Sequence, residues 1–138
     1  MIPDTIPRAA LVTGGGKRLG RATALALAEA GFAVAVHCNS SREAAEATAA
    51  DIRARGAAAC VLQADLGDEV AVAALVPQAT AALGPLGVLV NNASRFERDE
   101  WNDATRESWD RHLDPNLRAP FVLIQAFARA LPVRAEGM

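Results

Sequence analysis

The sequence contains no tyrosine, a single lysine (Lys17) and only two cysteines, Cys38 and Cys60, in 138 residues. Two thiols cannot build a disulfide-dense scaffold, and they read as buried thiols in a reducing compartment. No apolar run approaches the roughly 18 residues that a membrane helix requires. The opening Met1-Ile2-Pro3-Asp4 has neither the basic region nor the apolar core of a signal peptide. An excess of either charge is also missing: 16 acids against 14 bases leave a net charge of −2, which argues against a nucleic-acid surface. These absences leave a soluble cytoplasmic domain that acts on a small molecule, with no nucleic-acid or membrane partner and no metal site.

What is present is apolar but small. Leu, Ile, Val and Phe number 33, enough for a folded core, yet 32 further residues are Ala, which bury little area each. Residues 1–138 read as one domain in which apolar runs alternate with amphipathic ones. Ala9-Ala10-Leu11-Val12 predicts a buried strand that runs into a glycine cluster. A helix follows from Leu19 to Ala30, with Gly31 at its C-cap. Phe32-Ala33-Val34-Ala35-Val36 predicts a second strand. Ser41 to Arg55 is helical, with Ser41 as N-cap, Glu43 and Glu46 in the first turns, and Gly56 at the stop. Ala59 to Leu62 is a third strand, and Asp68 to Leu83 a third helix carrying Pro77 and ended by Gly84-Pro85. Leu86 to Val90 is the fourth strand. Arg95 to Arg111 is a charged surface excursion, and Trp109 to Leu131 is helical again, with Pro132 beyond it. Continuous apolar strands joined by helices predict an α/β fold whose parallel sheet is covered on both faces.

Between the first strand and the first helix lies Thr13-Gly14-Gly15-Gly16-Lys17-Arg18-Leu19-Gly20. Glycines let a backbone approach a pyrophosphate, and a helix N-terminus offers free N–H groups and a favourable dipole. A plain tight turn is the competing explanation, but the strand–turn–helix setting favours phosphate binding. The end of the second strand then selects the dinucleotide. An NAD site places an acid there for the ribose diol, whereas this chain has His37-Cys38-Asn39-Ser40-Ser41-Arg42 and no acid before Glu43. Hydroxyls, an amide and cations suit a 2′-phosphate, so NADP(H) is the expected cofactor, with Lys17 and Arg18 adding charge. Arg42 reads equally well as a solvated first-turn residue.

With these residues the chain resembles the short-chain dehydrogenase/reductase family from about Arg8 to Pro132. The resemblance is carried by the Thr13–Gly20 turn, Asp65-Leu66 after strand three, Asn91-Asn92-Ala93-Ser94 after strand four, and Asn116. It implies a Rossmann-type, doubly wound parallel sheet in the order 3-2-1-4, with later strands outside this chain. It also implies that Gly14, Lys17, Arg18, Leu19, Gly20, His37, Asn39, Ser40, Ser41, Asp65, Leu66, Asn92 and Ala93 hold the cofactor. The family pattern has glycine where this chain has Arg18. That departure, with His37 and Ser94-Arg95-Phe96, resembles the pteridine reductase and dihydromonapterin reductase branch. In that branch the residues matching Arg18, Ser94 and Phe96 face the substrate, and a flat pterin would stack on Phe96.

The family donates a proton through a tyrosine, assisted by a lysine four residues later. Of that machinery the chain carries only Asn116, so it is expected to be inactive alone and to be the N-terminal half of a longer reductase. Pro120 has no N–H, which leaves two options: a kinked helix with a free Asn116 carbonyl, or a break at Pro115 or Pro120 with Asn116 as a cap. Strand four would have an open, unprotected edge. The resemblance further implies a homo-oligomer, a tetramer, for which Ala119, Leu123, Ala126, Phe127 and Ala130 offer a face that serves equally as core. Three readings follow: an NADP-dependent pteridine-type reductase, a 3-oxoacyl-thioester or other carbonyl reductase, and a non-catalytic nucleotide-binding or assembly module.

Overall fold

The computed structural model describes residues 2–133 and 135–138. Four strands, β1 (Ala9–Val12), β2 (Ala33–Cys38), β3 (Ala59–Gln63) and β4 (Val88–Val90), form one parallel sheet in the order β3-β2-β1-β4. Helices α1 (Arg18–Glu29), α2 (Arg42–Ala54) and α3 (Glu69–Leu83) make the crossovers, and α4 (Arg106–Leu113) and α5 (Ala119–Ala130) follow β4. Alternate residues of β1 point to opposite faces, so the sheet divides the core in two. Leu11 packs with Leu75, Val76, Leu123 and Phe127 under α3 and α5. Val12 packs with Val34, Val36, Ala24 and Ile52 under α1 and α2. The fold is the expected doubly wound one.

Five local expectations are corrected. β2 starts one residue later than Phe32 and runs on to Cys38, because His37 and Cys38 pair with Leu62 and Gln63 of β3. β4 begins at Val88, the first of its residues in register with β1, opposite Ala10. The last helical region starts at Arg106, not Trp109: Thr105 and Ser108 each cap the other's backbone N–H. That region does not break at its prolines. It passes through a π-helical turn, Asp114–Arg118, in which the Ala119 N–H reaches back five residues to the Asp114 carbonyl. The extra residue re-phases α5, turning Ala119, Leu123 and Phe127 inward to the core and Leu117, Phe121 and Ile124 outward. The edge of β4 is not bare: the Met138 N–H donates to Gly87 (2.8 Å) and the Leu89 N–H to Met138 (2.7 Å).

Candidate functional site

The ends of β1, β2 and β3, the loop after β4 and the helix α4 surround a cavity of about 1260 Å³. Its floor is the glycine turn. Gly14 has φ +63°, in the left-handed region, and a Cβ on Gly20 would overlap the Gly14 carbonyl oxygen. Thr13 ties the turn to the neighbouring strand end. Its Oγ1 accepts the N–H groups of Asn92 and Ala93, both at 3.0 Å, and the Asn92 carboxamide donates to the Thr13 carbonyl at 2.9 Å. From the other side Thr48 of α2 donates to the Gly16 carbonyl (3.3 Å).

Helix α1 opens onto the cavity from this turn. Lys17 occupies its N-cap without a capping hydrogen bond, and no acid lies in the first turn. Its leading N–H groups therefore have no side-chain partner and suit a phosphate. Lys17 reaches across to Ser41, Nζ to Oγ 2.9 Å. Ser41 sits at the N-cap of α2 but makes no capping bond, so the expected cap is replaced by this contact. Arg42 leans on Glu46 at 3.3 Å, half exposed. Arg18 is the one non-glycine residue at positive φ, +48°, among the described residues.

His37 and Asp65 are held differently. The His37 ring is 1% exposed; Nδ1 accepts the Gly14 N–H (3.2 Å) and Nε2 donates to the Ala64 carbonyl (3.0 Å). Burial pushes its pKa down from 6.5, against the opposing pull of the Ala64 bond. One Asp65 oxygen takes the Gly67 N–H at 2.9 Å. Burial likewise pushes the Cys38 thiol up, the nearby Arg42 cation opposing it; Cys60, half-buried, is raised the same way.

Twelve of the expected residues line the cavity: Gly14, Lys17, Arg18, Leu19, Gly20, His37, Asn39, Asp65, Leu66, Asn92, Ala93 and Ser94. Ser40, Ser41, Phe96 and Asn116 lie outside its lining. Phe96 is 86% exposed, its ring edge against His112 at 6.2 Å. Asn116 works through its side chain. The carboxamide accepts the Arg95 N–H (2.8 Å) and donates to the Arg95 carbonyl (2.7 Å), clamping the loop after β4 onto the π turn.

The far wall was not foreseen. Arg106, Asp110 and Arg111 of α4, with Asp114, line it. Glu97 joins Arg95 and Arg111, and its backbone N–H donates to Nε2 of His112 at 2.9 Å. The Arg95 hydrogen bond, more than Arg111, holds the Glu97 carboxyl below the ordinary range. The four-residue spacing of Ser108, His112 and Asn116 was the available signal, because it aligns them along one side of a helix.

Comparison with known proteins places these features in a family. The short chain dehydrogenase model matches residues 8–138. A 3-oxoacyl-[acyl-carrier-protein] reductase FabG of Staphylococcus aureus is 38% identical over 118 residues, covering 86% of this chain and 48% of the relative. A FolM alternative dihydrofolate reductase 1 from Brucella canis, crystallised with NADP, is 43% identical with a TM-score of 0.89. That match covers 94% of this chain and 52% of that one. A Burkholderia cenocepacia short chain dehydrogenase, also in complex with NADP, is 43% identical with a TM-score of 0.85, covering 88% of this chain and 50% of that one. The chain spans about half the length of the curated relatives it matches.

Proposed function

The chain belongs to the short chain dehydrogenase family, and from that premise we propose that it holds NADP(H) in the cavity and is the dinucleotide-binding part of an NADP-dependent reductase. One observation carries this reading. The uncapped N-terminus of α1 lies beside the Lys17–Ser41 contact, and no acid stands at the end of β2 to claim a ribose diol. Pyrophosphate would lie on the Gly14–Gly20 turn, the 2′-phosphate by Lys17, Asn39, Ser40 and Ser41, and adenine by Asp65 and Leu66. When bound, the dinucleotide supplies a hydride; this chain's residues bind and orient it. With no tyrosine and its single lysine in the phosphate turn, the chain alone is expected to bind without turnover.

Titrating the chain with NADPH and NADH, followed by nicotinamide fluorescence, tests the reading. NADPH should bind at least about tenfold tighter, the worth of one charge-assisted hydrogen bond. Equal affinity would remove the 2′-phosphate assignment.

For substrate we favour a pteridine or dihydrofolate-like ring. The likeness to the FolM reductase supports it, as do Arg18 and Ser94 at the cavity. Phe96 would have to swing inward to stack on such a ring. The likeness to the FabG reductase supports the second reading, a 3-oxoacyl thioester. NADPH oxidation by the whole protein with dihydrobiopterin or dihydrofolate, against an acetoacetyl thioester, separates them. A purely nucleotide-binding or assembly module would turn over neither. Among the described residues no helix is long and apolar enough to cross a membrane, and the two free thiols suit a cytoplasmic setting. A homo-oligomer, if formed, would use the outward Leu117, Phe121 and Ile124 stripe in place of the buried Ala119 and Leu123.

A further inference from the structure

Resting on the dinucleotide reading, we propose that His37 is a positioning residue: its neutral ring holds the Gly14 N–H and thereby sets the shape of the phosphate turn. His37, next to last in β2, lies between the glycine turn and the end of β3, and it takes two successive N–H groups of that turn. The ring accepts from Gly14 at 3.2 Å, and its backbone carbonyl accepts from Gly15 at 3.0 Å. Because Nδ1 accepts, Nε2 carries the proton and donates to the Ala64 carbonyl, linking the turn to the segment that leads to Asp65. Neither ring nitrogen is left for a ligand, so His37 acts through Gly14 although it lines the cavity.

The charged groups of the elements packed around it are Lys17 and Arg18 in the turn, Asp65 and Asp68 after β3, and Arg42 beyond β2. Among the described residues none of them hydrogen-bonds the ring. Adding a proton at Nδ1 would set a donor against the Gly14 N–H, so the turn must shift. Burial lowers the ring's pKa in the fold, so the unfolded chain takes the proton first. The fold therefore loses stability as pH falls below 6.5 and is unaffected above it, while the turn in the folded chain gives way only at lower pH, where the buried ring itself takes the proton.

Two variants separate the two ring bonds. His37→Asn keeps an oxygen near the Nδ1 position to accept from Gly14 but cannot reach Ala64. His37→Gln reaches Ala64 but leaves the Gly14 N–H without an acceptor. NADPH affinity and, in the ligand-free chain, Gly14 amide exchange by NMR are then compared. His37→Asn should stay within about threefold of the unaltered chain with Gly14 protected. His37→Gln should bind about tenfold more weakly with Gly14 exchanging freely. On acidification the unaltered chain should lose affinity more steeply than His37→Asn, since the 2′-phosphate titrates alike in both. Equal losses in the two variants, or identical pH profiles, would overturn the proposal. If exchange separates the variants as stated but the unaltered chain ignores NADPH, His37 stands as positioner and the dinucleotide reading falls.

Discussion

The near wall of the cavity, built from the ends of β1, β2 and β3, is locked by hydrogen bonds from buried side chains, whereas the far wall is tied by charged side chains lying half in water. Thr13, His37 and Thr48 are each about 1% exposed or less, and each bonds backbone of the glycine turn or of the strand ends beside it. In the loop after β4 the ties are Arg95–Glu97–Arg111 and Arg98–Glu100, at side chains between about a third and five-sixths exposed. Buried hydrogen bonds are costly to break because the orphaned partner stays desolvated, while exposed ion pairs are worth little. The near wall is thus a fixed mould, and the far wall an adjustable one held at the backbone of Arg95 and Glu97 by Asn116 and His112.

Three substitutions test this contrast, from the largest expected effect to the smallest. Gly20→Ala places a methyl against the Gly14 carbonyl and the Asn92 carboxamide, backbone and a pinned side chain that cannot give way. A loss of about 3 kcal/mol in stability is expected from such overpacking, together with loss of NADPH binding. Denaturant unfolding checks the first and fluorescence titration the second. A variant that melts normally would mean the near wall is softer than described.

Arg18→Gly works in the opposite direction. A left-handed non-glycine residue costs about 1–2 kcal/mol, and glycine returns about 1 kcal/mol through its freer unfolded chain. The net is a slightly higher melting temperature, accompanied by weaker NADPH binding. If stability fell instead, the Arg18 side chain would be supporting the fold rather than serving the cavity.

Glu97→Gln should leave the melting temperature nearly unchanged, because the carboxylate it removes pairs with side chains that lie half in water. Hydrogen exchange in residues 94–104 should rise all the same. A clear drop in melting temperature would show the far wall to be as integral as the near one.

Much of the near wall was legible from local order. A short apolar strand, a glycine turn and a helix start are adjacent in the chain, so their geometry follows from neighbouring residues. The far wall was harder to read because its contacts join Arg95 and Glu97 to positions 14 to 21 residues away, and charged residues carry no period that reveals the partner. For Phe96 the branch resemblance, and no local pattern, suggested a stacking platform; the ring stands exposed beside His112.

The sequence by itself determined the strands, the helix stops at Gly31, Gly56 and Gly84, the parallel sheet and the glycine turn. All of these rest on short-range periodicity and backbone preference, including the positive φ at those three glycines. Only the tertiary structure decided that His37 turns both nitrogens inward and that Asn116 clamps Arg95. It also decided that a π turn rotates Leu117, Phe121 and Ile124 to the surface. Those outcomes depend on how one element is phased against another, and a single extra residue in a helix turn resets that phase by about 100°.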